Sequence, residues 1–197
     1  DSQNIALDIN DNISASINSV TATSPDSAYK AGTVISLAIV FSENVTVTGT
    51  PQITLETGNS DAVVNYSSGS GNDTLIFNYT VQAGQNIADL DYTSTSALTL
   101  NGGTIKDAAG NVAILTLPGP GSSGSLGANK NIVIDNNVPT ITISATKINS
   151  STSIADGSST ADNAIQLTLI TSEEVVNFTQ DDITVSSGTI CNFSKSS

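Results

Sequence analysis

The strongest constraint in this sequence is a two-residue alternation of apolar and polar side chains, broken at short intervals by turn formers. In Val34-Ile35-Ser36-Leu37-Ala38-Ile39-Val40-Phe41, the residues Ile35, Leu37, Ile39 and Phe41 fall on one side of an extended chain. Thr74 to Val81 repeats the pattern with Leu75, Phe77, Tyr79 and Val81. Shorter β-branched runs follow at Val45–Thr48, Ile53–Leu55, Ala62–Tyr66, Ala97–Leu100, Val112–Leu117 and Ile132–Ile134. Between them stand Thr57-Gly58-Asn59, Ser67 to Asp73, Asn101-Gly102-Gly103 and Ala109-Gly110-Asn111. Strands this short, separated by turn signals about every 8–12 residues, predict an all-β sandwich or barrel. No segment sustains a helical period, and the wealth of Thr, Val and Ile suits a pleated surface.

The alternation also recurs at long range. Ile35 to Val45 aligns without a gap to Ile165 to Val175, so that Ser42-Glu43-Asn44-Val45 falls on Ser172-Glu173-Glu174-Val175. The same shift of about 130 residues carries Ile53-Thr54-Leu55 onto Ile183-Thr184-Val185. Asn4-Ile5-Ala6-Leu7-Asp8 matches Asn131-Ile132-Val133-Ile134-Asp135 at a slightly smaller shift. The expected organisation is a terminal strand and linker of a preceding unit over 1–12, a complete unit over 13–134, a linker over 135–138, and the first half of a second unit over 139–197. A half-unit exposes an apolar face and a pairing edge. Truncation of a longer chain, or a strand supplied by another molecule, would account for it.

Composition narrows the function. The chain of 197 residues contains no His, Trp, Met or Arg; its five basic residues are all Lys, against 18 Asp and Glu, for a net charge of −13. Without His there is no Ser-His-Asp or Cys-His machinery and no His-ligated zinc. A phosphate-rich partner is repelled, so nucleic acid is excluded as a partner. No apolar run is long enough to insert as a membrane span, and Cys191 has no second cysteine to pair with. A glycosidase-like carboxylate pair finds no supporting Trp or residue-rich loop, and no concave ligand pocket is signalled. The expectation is a non-enzyme. Asn-x-Ser/Thr sequons at Asn12, Asn44, Asn65, Asn72, Asn78, Asn149, Asn177 and Asn192 permit glycosylation of such a surface. Lys30, Lys106 and Lys130 fall in or near turns, which argues against a buried Lys–Asn isopeptide bond.

Several segments carry a family likeness. Ser42-Glu43-Asn44-Val45, Gly49 to Leu55, Asn101 to Asn111 (above all Ile105–Asn111) and Leu126 to Asp135 resemble the immunoglobulin-like repeats of very large prokaryotic surface proteins. Repeat-in-toxin-type adhesins and archaeal surface-layer proteins contain such repeats. Thr171 to Val175 and Phe178 to Val185 are similar to the same group, more loosely. The resemblance implies tandem Ig-like β-sandwiches, the second incomplete, at the cell surface or outside the cell. Their partners would be neighbouring repeats of the same or identical chains, and their role extension, adhesion or assembly into a coat or filament. It also implies calcium at junctions between units. Asp8-Ile9-Asn10-Asp11-Asn12 resembles the calcium-binding linker of cadherins, although the cadherin Asp-Arg-Glu element has no counterpart in a chain without Arg.

The residues offer hard oxygen donors of the kind calcium takes. In an Ig-like topology, Glu43 and the Asp107–Asn111 turn come beside the segment that brings in Asp8, Asn10 and Asp11. In the second unit Glu173 and Glu174 approach Asp135 and Asn137. The expected ligand set is therefore Asp8, Asn10, Asp11, Glu43, Asp107, Asn111, Asp135, Asn137, Glu173 and Glu174. Asp107 and Asn111 also suit a simple turn cap, while Asp89, Asp91, Asp181 and Asp182 read as exposed loop carboxylates.

Overall fold

A computed structural model describes residues 12–148 and 150–195. The protein is all-β. Its chain divides into two compact units, with the boundary between Asn137 and Val138.

Unit 1 contains β1 (Ile17–Ala22), β2 (Ser27–Tyr29), β3 (Val34–Thr48), β4 (Gln52–Glu56), β5 (Ala62–Ser68), β6 (Asn72–Thr80), β7 (Asp91–Tyr92), β8 (Leu98–Thr99), β9 (Thr104–Lys106), the short helix α1 (Leu126–Asn129) and β10 (Ile132–Ile134). The main antiparallel sheet runs β1-β3-β6-β5-β4-β7, with β8 also on β4 and β9 also on β3. Two strands curl it. The first half of β3 pairs with β1 and β6, and its second half pairs with β9 after a register break between Val40 and Val45. The first half of β5 pairs with β4 and its end with β6. The sheet thus folds its inner face onto itself, and β10 closes one margin by pairing in parallel with β2.

Burial follows the alternation. Ile35, Leu37, Ile39 and Phe41 of β3, Leu75, Phe77 and Tyr79 of β6, and Ile53 and Leu55 of β4 share one core with Ile105, Ile132 and Ile134. Each large apolar side chain so buried contributes about 1.5–3 kcal/mol. Thr57, Gln85 and Tyr79 place a polar chain inside this core: Gln85 Nε2 donates to Thr57 Oγ1 and Tyr79 Oη donates to Gln85 Oε1. Burial pushes the Tyr79 hydroxyl up to about 12.

Local departures from the expected strands have physical reasons. Val34–Phe41 and Val45–Thr48, expected as two strands, form one, because the Ser42-Glu43 step is a bulge rather than a turn. Val112–Leu117, expected as a strand, is extended but makes only isolated bridges. Its Ala113, Ile114 and Leu117 N–H groups go to three different partners, Ile105, Ala15 and Thr95. Asn101 and Gly102 both adopt left-handed φ (44° and 77°), and Gly103 N–H donates to Leu100 O at 2.8 Å. That is the turn whose hand matches strand twist. Gly103 then abuts the end of β3, where an added Cβ would run into the Thr48 carbonyl oxygen.

Asp135 and Asn136, within the expected linker over 135–138, are hydrogen-bonded to the body of unit 1. Asp135 N–H donates to Tyr29 O (3.0 Å), and Asn136 N–H donates to Asn86 Oδ1 (2.7 Å). Asn136 Oδ1 accepts from Ala31 N–H (2.5 Å), while its Nδ2 donates to Gln82 O and Gln85 O.

Unit 2 contains β11 (Ile141–Lys147), β12 (Ser153–Ile154) and β13 (Ile165–Thr171) in the order β12-β11-β13. A 3-10 turn at Gln180–Asp182 follows. Ile183-Thr184-Val185, aligned with β4 in the sequence, forms no strand here. None of the described side chains of unit 2 is buried.

Two stability outcomes are expected. Gly103→Ala destabilises unit 1 by about 1–3 kcal/mol, because backbone rather than a yielding side chain opposes the new methyl group. Asn136→Ala costs about 1–3 kcal/mol through loss of its shared hydrogen bonds. Urea unfolding followed by tyrosine fluorescence measures both.

Candidate functional site

The chain reaches each unit through the same hydrogen-bonded clasp. In unit 1, Ser16 N–H donates to Ser42 Oγ (3.0 Å) and Ser42 N–H donates to Ser16 O (2.8 Å). In unit 2, Thr140 N–H donates to Ser172 Oγ (2.9 Å) and Ser172 N–H donates to Thr140 O (2.9 Å). The adjoining register is also shared, with Ile17 opposite Phe41 and Ile141 opposite Thr171. Ser42 and Ser172 are the serines of the repeated Ser-Glu-x-Val sequence. Its serine ties down the incoming strand, and its glutamate stands one residue beyond the tie.

Glu43 is half-buried in the β3 bulge. The described chain start is also joined to the far side of unit 1: Ser16 bridges Ile114, and Ile114 N–H donates to Ala15 O at 2.8 Å. Lys106 bridges Val112 across the Asp107–Asn111 turn, which ends three residues before Ile114. Glu43 and the Asp107 turn therefore flank the two elements that receive the incoming strand. Asp8, Asn10 and Asp11 lie outside the described residues.

Asp107 is buried and spends its carboxylate on its own turn. Oδ1 accepts from Asn111 N–H (2.8 Å) and Oδ2 from Asn111 Nδ2 (2.9 Å). Burial alone would raise its pKa. Hydrogen bonds from the Asn111 side chain and from the Asn111, Gly110 and Ala109 N–H groups outweigh that and hold it below the ordinary value of 3.8. Asn111 is half-buried and is used as this donor. Asp135 Oδ1 accepts from the N–H of exposed Asn137 (2.9 Å), a local turn contact.

In unit 2, Glu174 is exposed, whereas Glu173 is half-buried and its Oε1 is enclosed without a hydrogen-bond partner. An enclosed carboxylate oxygen is costly to leave unpaired. Among the described residues no three carboxylates or other Cys or His ligands cluster tightly enough to form a metal cage. The donor sets thus differ: Asp107 is already satisfied, while Glu173 has an oxygen to give.

Other acids keep local roles. Asp182 Oδ2 accepts from Thr179 N–H at 2.8 Å. Asp91 accepts from Tyr92 N–H and Gly121 N–H, both at 2.9 Å. Asp89 and Asp91 converge over Gly127, whose missing Cβ would meet an oxygen of each within about 3 Å. Desolvation, then the neighbouring Asp91 charge, raises the Asp89 pKa. Lys130 is engaged by Asp26 at 3.0 Å. All seven described sequon asparagines are exposed, and Asn149 lies outside the described residues. The splay of β5 from β6 leaves an open hollow lined by amides and hydroxyls such as Asn65, Ser67, Asn78 and Gln82.

Sequence reasoning located the Ser-Glu step but missed the serine hydroxyl as the clasp. The repeat of Ser42 at Ser172 was the available signal. Asn136 was also missed, since an Asn in a linker carries no mark of its partners.

Compared with known proteins, the chain matches no protein family, no curated protein and no solved structure.

The Asp107 turn gives a pH signature. Its folded pKa is depressed, so its contribution is present above the unfolded carboxylate value of about 3.9 and is lost as pH falls through the lower folded value. Urea midpoints between pH 6 and pH 2.5 are expected to fall less steeply for Asp107→Asn than for the wild-type chain. Equal slopes would show that Asp107 does not couple to folding.

Proposed function

We propose that this protein is a non-catalytic extracellular structural module, built as tandem Ig-like sandwich repeats of the kind that extend large prokaryotic surface proteins. The observation that carries the reading is the clasp at Ser16–Ser42, repeated at Thr140–Ser172 with the same neighbouring register. A duplicated way of receiving the chain is what a series of stacked units needs. The absence of His and Arg from the sequence and the net charge of −13 favour a solvated spacer over a catalyst or a nucleic-acid binder.

Calcium is part of the proposal. Near unit 1, Glu43 would hold it together with Asp8, Asn10 and Asp11 of the incoming segment, with Asp107 and Asn111 shaping the adjoining turn. At unit 2, Glu173 would hold it together with Glu174. The enclosed Glu173 Oε1 supports this assignment, because a cation supplies the compensation that no protein donor gives. Bound calcium neutralises the carboxylates and orders the segment leading into each unit. A ligand that binds only the ordered state stabilises it by mass action.

A second reading is a self-assembling subunit of a surface layer or filament. It is favoured by the lack of any buried side chain among the described residues of unit 2, where Ile143 is 64% exposed and Leu167 44%.

Thermal melting and small-angle scattering with calcium and with a chelator test the first reading. Calcium is expected to raise the melting temperature and lengthen the particle. Glu173→Gln is expected to weaken calcium affinity at least tenfold in calorimetric titration while leaving the unit 1 transition in place. Identical titrations for wild type and Glu173→Gln would remove Glu173 from the ligand set. No calcium effect on melting or length would overturn the calcium assignment.

A further inference from the structure

We infer that the hollow between β5 and β6 on the outer face of unit 1 binds a neutral saccharide. It shares no residue with the clasps or with the calcium ligands, so it adds a recognition role to the proposed spacer and is tested apart from it.

The hollow follows from one divergence. β5 and β6 pair only through Tyr66–Phe77 and Ser68–Ile76. From Tyr66 back to its start, β5 belongs to β4, with Asn65 opposite Gln52 and Ala62 opposite Leu55. β6 stays on β3, with Asn78 opposite Ser36 and Thr80 opposite Val34. The gap between them widens into a cavity of about 640 Å³, inside the range of about 300–1,000 Å³ usual for small-molecule sites. A buried polar chain holds its wide end. From the β6 side, Tyr79 Oη and Gln82 N–H donate to Gln85 Oε1. Gln85 Nε2 donates to Thr57 Oγ1 (2.9 Å), and Thr57 Oγ1 donates to Ser60 O (2.6 Å) just ahead of β5. The two walls are thereby tied at a set distance, so the opening exists before a ligand arrives and binding is spared the cost of ordering it.

The lining selects the ligand. Val63, Asn65 and Ser67 on the outer face of β5 stand across from Asn78 and Thr80 on that of β6. Asn65 Oδ1 accepts from Gln52 Nε2, and Gln82 Nε2 donates to Thr80 O. That leaves Asn65 Nδ2, Gln82 Oε1 and Thr80 Oγ1 without a partner among the described residues. They are a donor, an acceptor and a group that does both, all uncharged, which matches sugar hydroxyls that each donate and accept. Val63 is 61% exposed and offers an apolar surface to the C–H side of a sugar ring. Among the described lining residues Asp61 alone is charged, and no lysine stands there to attract an anion. An anionic ligand would meet only repulsion from Asp61 and from the net charge of −13. A peptide strand fits less well. It needs two edges about 9.5 Å apart along its whole length, whereas these edges converge to direct pairing at Tyr66.

Amide NMR of the whole nitrogen-15-labelled chain tests the inference, by titration with neutral disaccharides of glucose, galactose, mannose and N-acetylglucosamine. At least one is expected to shift the Asn65, Asn78 and Gln82 side-chain amides saturably, equally with calcium and with a chelator. Asn65→Ala and Gln82→Ala are each expected to weaken that binding at least fivefold with the unit 1 melting transition in place. Thr80→Val, which keeps the side-chain shape and removes only the hydroxyl, is expected to do the same. A sulfate ester of the bound sugar is expected to bind at least fivefold more weakly than the neutral form. A panel that gives no saturable shift at those amides overturns the inference. So does full affinity in the Asn65→Ala/Gln82→Ala double variant, which puts the sugar elsewhere, or loss of binding on chelation, which puts it on a metal. A capped Thr-Val-Thr-Val peptide that shifts the Val63 and Thr80 main-chain amides where the sugars do not also overturns it, by assigning the gap to a strand.

Discussion

Unit 1 depends on a single strand that takes part in two pairings. β3 is 15 residues long, and its register breaks between Val40 and Val45. Before the break it sits between β1 and β6, and after it the chain meets β9. A bulge adds a residue on one side and sharpens the local twist. Here the bulge lets one continuous strand leave one face of the core and join the next. The apolar alternation survives the bend, with Phe41 and Val45 both buried. The same bend holds Ser42, whose backbone and hydroxyl receive the incoming chain. Core closure and chain attachment therefore share one irregularity.

Charge does little of the structural bonding, and amides and hydroxyls take its place. The outer face of β3, β6 and β5 is tied by Ser36 Oγ to Asn78 Oδ1 (2.7 Å) and by Asn78 Nδ2 to Ser67 Oγ (3.0 Å). Asn136 holds the last residues of unit 1 to the Ala31 N–H, to the Gln82 and Gln85 carbonyls and to the Asn86 side chain. Neutral bonds of this kind contribute about 0.5–1.5 kcal/mol each and are insensitive to salt. A chain with few cations can thus stay folded while its surface remains strongly negative.

The all-β character and the core were legible because burial in a sheet has a strict period of two, and Ile35, Leu37, Ile39 and Phe41 obey it. The repeat was legible because Ser-Glu-x-Val recurs intact. What escaped was set by partners far away in the chain. Val112–Leu117 alternates as a strand should, yet its hydrogen bonds scatter to Ile105, Ala15 and Thr95, which no local pattern encodes. Asp91–Tyr92 is a two-residue strand on β4, too short to show any period. The candidate ligands divide in the same way. Asp107 and Asn111 were legible as a turn cap, and the structure shows that cap. Glu43 and Glu173 were legible as equivalents, while the enclosure of one Glu173 oxygen depends on packing that sequence does not display.

Unit 2 poses the sharper energetic question, because it has the clasp of unit 1 while none of its described side chains is buried. A three-stranded sheet stands alone only when a hydrophobic face is covered. The strands that cover the equivalent face in unit 1 have no counterpart among the described residues of unit 2. The order imposed by the clasp costs backbone entropy of about 1–2 kcal/mol per fixed residue. Hydrogen bonds exposed to water return only part of it. Burial of Ile141, Ile143, Ile165 and Leu167 is the large favourable term still unspent at that sheet. Covering that face is therefore the largest stabilisation open to unit 2, and anything that binds it only in the folded state stabilises the unit by mass action.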